Sequence, residues 1–258
     1  MNGALRQTWR DEGDAAGVPV VFAHALGLDL HLWDAVLPLL PQGLRLICYD
    51  LRGHGGTEGP PGPYGMGALV RDAEQLLDGL AVKGAVFVGL SLGGMIAQGL
   101  AVKRPDLIRA LVLSNTAAKI GTAESWRARG AAVQQGGMAA VAATVIDRWF
   151  SRRSRQDGLA SFWEKRLLAT SSEGYVGCCA ALAGADFITP TSGLHLPALV
   201  IAGTEDGATP PDLVRELADL IHHARFRLIR GAGHLPPIDR PAEFAAELAD
   251  FLRHIGVT

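Results

Sequence analysis

The chain has 258 residues, of which 48% are hydrophobic and 19% charged, with a formal net charge of −2. That length can bury one large core and is typical of a single α/β domain with an insertion. The near-neutral charge and the lack of any Lys/Arg-rich run argue against a nucleic-acid-binding surface.

The chain also lacks the signals of export or membrane insertion. Residues 1–8 have no charged start, apolar stretch and cleavage site of a signal peptide. No apolar run approaches the roughly 20 residues that span a bilayer. The three cysteines, with Cys178 and Cys179 adjacent, argue against a disulfide framework. We therefore expect a cytoplasmic protein without a membrane partner, in which the adjacent cysteines are small buried helix residues rather than a redox pair.

The first half of the chain alternates between strand and helix patterns. In chain order they are an edge strand at 5–12, a strand at 19–23, a helix at 31–40, a strand at 44–49, a helix at 66–80, a strand at 86–90, a helix ending at 103 and a strand at 109–114. This alternation predicts an α/β fold with a mostly parallel, doubly wound sheet.

The alternation of strands and helices then stops, because the next 70 or so residues have helical segments and no convincing strand. Helices are predicted at 124–135, 138–150, 162–169 and 173–183; afterwards come a strand at 197–203, a helix at 212–221, a strand at 225–229 and a helix at 241–254. The predicted organisation is a core formed by 1–116 and 190–258, with a helical cap at 117–189.

The central motif is Gly89-x-Ser91-x-Gly93, which follows an apolar strand and opens a helix. This spacing is typical of a nucleophile elbow, in which small residues let strand and helix pass closely and the serine is presented on a strained turn. The peptide N–H of Leu92 would lie at the helix start, where it can stabilise an oxyanion. The alternative is a glycine-rich turn whose serine only caps the helix.

A nucleophilic serine needs a base and an acid that orients the base. Asp206 follows the 197–203 strand and His234 follows the 225–229 strand, and open α/β sheets place their sites at such strand ends. The order Ser91, Asp206, His234 predicts a catalytic triad. Glu205 is the second choice of acid. Taken singly, Asp206 could form an Asx turn and His234 could be a solvated loop residue.

The loop after the 19–23 strand should supply the second oxyanion donor, for which we choose the backbone N–H of Leu26. We interpret His24 as a structural histidine that bonds loop carbonyls. The segment from Asp50 to His54, with Arg52, is interpreted as an ion-paired, hydrogen-bonded corner. No zinc, calcium or phosphate-binding pattern is present, so no cofactor is expected.

The chain as a whole resembles the α/β-hydrolase superfamily. The motifs that carry this resemblance are His24-Ala25-Leu26-Gly27, Tyr49-Asp50-Leu51-Arg52-Gly53-His54-Gly55, Gly89-Leu90-Ser91-Leu92-Gly93-Gly94-Met95, Gly203-Thr204-Glu205-Asp206 and Gly233-His234. Within the cap, similarity to 3-oxoadipate enol-lactonases rests on residues 113–121, Trp126-x-x-Arg129, Gly137-Met138-Ala139, Arg148-Trp149-Phe150 and residues 174–181.

This resemblance implies a hydrolase of aromatic catabolism, in the β-ketoadipate pathway, that opens a small enol-lactone through an acyl-enzyme on Ser91. The substrate's free carboxylate needs a cation in an apolar pocket. We expect Arg129 to supply it, with Trp126 and Trp149 as walls; the alternative is a solvent-facing arginine and two packing tryptophans.

The same triad serves carboxylesterases, other lactonases and carbon–carbon bond hydrolases, and a non-catalytic ligand-binding module could keep the fold. The expected partner is a small lactone or ester, and the sequence leaves the oligomeric state open.

Overall fold

The computed structural model of the chain describes residues 5–258. Within them seven strands form one sheet in the order β1-β3-β2-β4-β5-β6-β7. Only β1 is antiparallel to its neighbour, and the other pairs are parallel. The strands are β1 Trp9–Gly13, β2 Val18–Ala23, β3 Leu44–Tyr49, β4 Ala85–Leu90, β5 Ile108–Ser114, β6 Ala198–Gly203 and β7 Arg225–Ile229. The predicted α/β architecture is therefore confirmed.

The inner strands are mostly buried because helices and loops cover the sheet. Every residue of β4 and of β6 is buried, whereas the edge strand β1 is mostly exposed. This explains why the central strands have continuous apolar sequences rather than alternating ones.

Eleven α-helices lie within the described residues. They are α1 Met66–Gly79, α2 Leu92–Lys103, α3 Ala123–Gly136, α4 Ala139–Trp149, α5 Arg152–Gln156, α6 Leu159–Leu168, α7 Ser172–Ala183, α8 Ile188–Ser192, α9 Pro211–Leu220, α10 Pro236–Asp239 and α11 Pro241–His254. Helix α2 packs on β4 and β5 and also contacts α1 and α8. Between residues 5 and 258, no helix combines the length and the apolar character needed to cross a membrane.

Helices α3 to α8 all lie between β5 and β6, where the cap is predicted. The chain enters and leaves the cap at neighbouring points, because the Phe187 N–H donates to the Ala118 carbonyl at 2.8 Å. Helix α8 spans the predicted cap end at 189, and Thr191 donates to the Gln98 side chain of α2 at 2.8 Å. The exact domain division stays a prediction.

The adjacent cysteines of α7 are buried, as predicted: Cys178 is 0% exposed and Cys179 is 1% exposed. Burial raises the pKa of both thiols, that of Cys179 to about 12. Both therefore stay protonated, which agrees with a packing role.

The predicted helix at 31–40 is wrong. The segment forms two short 3₁₀ helices, Leu30–Trp33 and Leu37–Leu39. Pro38 cannot donate the hydrogen bond that an α-helix through this segment requires, and its ring would clash with the preceding turn. The sequence prediction also missed the short helices α5, α8 and α10 and extended the first strand over residues 5–8, which are not in a strand.

Candidate active site

Ser91 lies on the turn between β4 and α2, with φ 55° and ψ −114°. A positive φ is strained for a residue with a side chain. The close passage of strand and helix explains the two glycines of the motif. A Cβ on Gly89 would lie 2.3 Å from the Gly93 carbonyl oxygen, and one on Gly93 would lie 2.2 Å from the Ala23 oxygen. The motif therefore forms the predicted elbow.

The neighbouring strand end holds this turn in place. The Ser91 N–H donates to the Ser114 carbonyl at 3.0 Å, and the Thr116 hydroxyl donates to the Ser91 carbonyl at 2.7 Å. Backbone strain persists only where the surroundings over-determine it. These bonds supply that constraint at Ser91.

Asp206 and His234 meet at the same edge of the sheet, after β6 and β7. His234 Nδ1 lies 2.8 Å from Asp206 Oδ2, and the two residues are 2% and 5% exposed. We assign the ring proton to Nδ1 because its partner is a carboxylate. That tautomer leaves Nε2 as the acceptor. Ser91 and His234 line one cavity, although no direct hydrogen bond joins their side chains in the described chain.

The Asp206 carboxylate is held by donors that the sequence reasoning missed. Asn115 Nδ2 donates to Oδ2 at 2.8 Å and to the Gly233 carbonyl at 3.2 Å, and the Thr209 hydroxyl donates to Oδ2 at 2.7 Å. The signals available were a polar residue at the end of β5 and the Asp-x-x-Thr spacing of an Asx-type turn. The Asx alternative for Asp206 is thus also correct, since the Ala208 and Thr209 N–H groups donate to Oδ1.

Electrostatics keep this acid charged. Burial raises the pKa of Asp206, but the His234 charge and the hydrogen bonds from His234, Asn115 and Thr209 outweigh it, so the net pKa lies below its usual value. Glu205, the second choice of acid, is exposed and accepts a bond from the Arg152 N–H at 2.8 Å. The structure pairs His234 with Asp206 and gives Glu205 a contact to the cap.

The loop after β2 brings a backbone amide to the same cavity. Leu26 lines it together with Ser91 and His234, and Leu92 is the first residue of α2. Within residues 5–258 neither the Leu26 N–H nor the Leu92 N–H has a hydrogen-bond acceptor. Both amides are therefore free of protein partners, and that of Leu26 belongs to a residue that lines the cavity.

Two buried histidines hold this loop, as expected for structural residues. His24 Nδ1 donates to the Ala25 carbonyl at 2.8 Å, while its Nε2 accepts from the Leu51 N–H at 3.0 Å. His54 Nε2 accepts from the Gly27 N–H at 3.0 Å. Burial lowers the pKa of each imidazole to about 4, so both are neutral at pH 7.

The predicted ion-paired corner is also present. The Arg52 Nε lies 2.5 Å from Asp72 Oδ2 on α1. Asp50 accepts from the Leu30 N–H at 2.7 Å and from the Gly56 N–H at 2.8 Å. These contacts fix the loop that carries His54.

The cavity over Ser91 has a volume of about 120 Å³ and is lined on one side by the cap. The predicted cap residues Trp126, Arg129 and Trp149 all line it, and so do Tyr175 and Arg148, which the sequence analysis included in motifs but did not predict as site residues. A larger cavity, of about 1070 Å³ beside residues 5–9, shares no lining residue with it. Since Ser91 and His234 face only the smaller cavity of the two, we take that one as the candidate site.

The cap side of the cavity is cationic. Arg129 and Arg148 line it, and no Asp or Glu side chain is among its lining residues in the described chain. Neither guanidinium lies within 4.0 Å of a carboxylate oxygen there, and that of Arg129 lies 4.7 Å from the Trp126 ring. Burial raises the pKa of Tyr175 to about 12 against an opposing effect of Arg129, which keeps its hydroxyl protonated. The cavity can thus receive an anion.

Comparison with known proteins agrees with this geometry. Residues 18–241 match the α/β hydrolase fold family. A 3-oxoadipate enol-lactonase of Acinetobacter baylyi is 35% identical over 234 residues, which cover 90% of this chain and 87% of that protein.

Two solved structures are similar over nearly the whole chain. The enol-lactonase of Burkholderia xenovorans has a TM-score of 0.92 and 35% identity, with 97% of this chain and 99% of that chain covered. A malate-bound thermophilic esterase of Thermogutta terrifontis has a TM-score of 0.91 and 28% identity, with 96% and 93% covered. The chain is a hydrolase of the α/β-hydrolase family, and within that family it resembles the 3-oxoadipate enol-lactonases.

Proposed function

We propose that this hydrolase opens the ring of 3-oxoadipate enol-lactone to give 3-oxoadipate, through an acyl-enzyme on Ser91. The observation that carries the proposal is the joint lining of one small cavity by Ser91, His234 and two arginines without carboxylate partners. The 35% identity to a 3-oxoadipate enol-lactonase supports the choice of substrate.

The first step is acylation. His234 Nε2 accepts the Ser91 hydroxyl proton as the serine oxygen attacks the lactone carbonyl, and Asp206 stabilises the resulting imidazolium. The bond of 2.8 Å to Asp206 sets the tautomer that makes Nε2 the base. The hydrogen bond between a catalytic base and its nucleophile is often long before substrate binds. This fits the absence of a direct hydrogen bond between Ser91 and His234 among the described residues.

The Leu26 and Leu92 amides would hold the negative oxygen of the tetrahedral intermediate. One such donor is typically worth about 3 kcal/mol of barrier. The Leu92 N–H also lies at the positive end of the α2 dipole.

Collapse of the intermediate breaks the ring C–O bond and expels an enolate oxygen, which takes up the proton held by His234. The enol remains attached to Ser91 through the acyl ester and tautomerises there to a ketone, so that ring closure does not compete. His234 then activates a water that hydrolyses the acyl ester and returns Ser91 to its starting state. The net reaction adds one water to the lactone.

The substrate's free carboxylate is assigned to the cationic cap side of the cavity. Arg129 is half-buried beside the Trp126 ring, and Trp149 lines the same cavity. An unpaired charge in such a pocket is costly, which favours a ligand that brings the anion. The similar thermophilic esterase has malate, a dicarboxylate, bound in its structure. We propose that Arg148 is a second cation that binds this carboxylate.

A carboxylesterase is the competing activity, favoured by the similarity to that esterase. A non-catalytic ligand-binding module is a further alternative, and it would give no burst with an activated ester. The proposed partner is the small lactone itself, and the proposed compartment is the cytoplasm.

The test follows the loss of ultraviolet absorbance of the enol-lactone after addition of wild-type protein or of Ser91→Ala. We expect rapid loss with the wild type and a reduction by several orders of magnitude in the variant, because removal of the nucleophile leaves only binding and the oxyanion donors. Hydrolysis of p-nitrophenyl acetate that depends on Ser91, without lactone turnover, would favour the carboxylesterase instead.

A further inference from the structure

The buried carboxylate of Asp239 lies next to the loop that carries His234, yet the mechanism does not use it. Asp239 ends the short helix α10, which turns back towards that loop, and is 7% exposed. Its Oδ2 accepts from the Gly233 N–H at 2.6 Å and from the Ser151 N–H at 3.2 Å. Its Oδ1 has no hydrogen-bond partner among the described residues.

Ion pairing does not explain this burial. No Lys, Arg or His side chain lies within 4.0 Å of the Asp239 carboxylate in residues 5–258. Burial of a carboxylate costs free energy unless hydrogen bonds compensate it. Charge-assisted bonds to N–H groups are roughly twice as strong as neutral ones. The two backbone amides are therefore what the carboxylate holds.

Those two amides belong to different parts of the molecule. Gly233 immediately precedes His234, whereas Ser151 lies between α4 and α5 of the cap. The segments touch so closely that a Cβ on Gly233 would lie 2.4 Å from the Trp149 carbonyl oxygen and 2.8 Å from the Ser151 nitrogen. Asp239 thus links the loop that carries His234 to the cap, at a point where the two backbones are too close for any residue larger than glycine at position 233.

The same cap segment makes three further bonds to the loops of the acid and the base. The His234 N–H donates to the Trp149 carbonyl at 2.7 Å, and the Gly207 N–H donates to the Arg148 carbonyl at 3.2 Å. The Arg152 N–H donates to Glu205 at 2.8 Å. Residues 148–152 therefore form a platform on which the backbones of both loops rest.

We propose that Asp239 is a positioning residue for His234, which acts by clamping the Gly233 amide to the Ser151 amide of the cap. The inference rests on the proposed role of His234 as the catalytic base. Without the clamp, the His234 backbone can move away from the platform, and the alignment of its ring with Asp206 and Ser91 is lost. The proposed substrate contacts of Leu26, Trp126 and Arg129 lie on other elements, so their geometry is retained, whereas Arg148 and Trp149 belong to the platform itself.

The test compares Asp239→Ala and Asp239→Asn with the wild type, and Glu243→Gln serves as a matched control because Glu243 is an exposed acid four residues further along. Two quantities are measured: the steady-state split between kcat and KM on p-nitrophenyl acetate and the lactone, and the downfield NMR resonance of the His234 Nδ1 proton.

For Asp239→Ala we expect kcat to fall about tenfold to a hundredfold with little change in KM, in line with the loss of charge-assisted bonds. The Nδ1 resonance should broaden or disappear. Asp239→Asn keeps an acceptor oxygen without charge, so its kcat should fall only a few-fold and its resonance should persist. Glu243→Gln should match the wild type.

Wild-type kcat and an unchanged Nδ1 resonance in Asp239→Ala would overturn the proposal. If that variant does not fold, as circular dichroism would show, Asp239→Asn decides alone: identity with the wild type in kcat and in hydrogen exchange of the Gly233 amide would overturn it, and faster exchange with lower kcat would support it. The resonance and the exchange rate do not depend on turnover, so a wild type that fails to open the lactone would refute the proposed function while leaving this test valid.

Discussion

At the scale of single residues, the three proposed catalytic side chains could be predicted because each follows a strand in an order that the chemistry recognises. Asn115 could not be predicted. It bonds to Asp206 across 91 positions of sequence, and a polar residue at a strand end has many possible partners. Asp239 was missed for a related reason, since only the turn of α10 brings it back to Gly233.

The hydrogen bond from Asn115 to Asp206 predicts that the Asn115 side chain orients the Asp206 carboxylate. The Asn115 φ of 48° lies in the left-handed region, where glycine is unstrained, so Asn115→Gly removes the side chain without introducing backbone strain. A lost bond to a charged group is worth about 1.5–3 kcal/mol. We expect kcat to fall by about tenfold or more at nearly constant KM, measured on either substrate.

The control is His223→Gly, which makes the same kind of change at φ 62° on an exposed residue that does not line the cavity. It should leave kcat unchanged. A wild-type kcat in Asn115→Gly would show that the Thr209 and backbone donors alone orient Asp206.

At the scale of elements, strands and long helices followed from periodicity, and boundaries agreed within a few residues, as at β3 and α11. Prediction from local sequence patterns failed in two situations. In the predicted helix at 31–40, a proline interrupts the backbone hydrogen bonds of an α-helix. Helices of five residues or fewer were not predicted at all. Such short elements depend on tertiary contacts rather than on a repeating apolar face.

The docking of the cap on the core is likewise a property of the folded elements. Arg166 of α6 pairs with Asp29 at 2.5 Å, and the Thr170 hydroxyl donates to the Gly27 carbonyl at 3.1 Å. Both contacts reach the loop that carries Leu26. Together with the platform at 148–152, they place cap residues against the loops of the base, the acid and one proposed oxyanion donor.

At the scale of the whole molecule, the buried imidazoles of His24 and His54 predict how stability depends on pH. Burial lowers the pKa of both to about 4, below the ordinary value of 6.5. The unfolded chain therefore binds more protons between pH 6.5 and 4, so the free energy of unfolding falls as the pH falls through this range. By linkage the loss amounts to at most roughly 3 kcal/mol per histidine. The lowered pKa of Asp206 acts separately, because its contribution is lost only below about pH 4.

Urea unfolding between pH 7 and pH 4.5 measures this slope. His54→Gln should flatten it, while His254→Gln, at an exposed position on α11, should not. A free energy of unfolding that stays constant across this range in the wild type would contradict the assignment of both imidazoles as buried and neutral.

The central claim is that core and cap act together, with Ser91 as nucleophile and cap arginines that select an anionic lactone. The most direct measurement is the ratio of kcat/KM for the enol-lactone carboxylate to kcat/KM for its neutral methyl ester, in the wild type, in Arg129→Met and in Arg127→Met. Arg127 is an exposed arginine of the same helix that does not line the cavity, and so it serves as the control. We predict that the wild type and Arg127→Met favour the carboxylate at least about tenfold, equivalent to 1.4 kcal/mol, and that Arg129→Met loses this preference mainly through a higher KM. Equal or greater activity of the wild type on the methyl ester would contradict the account.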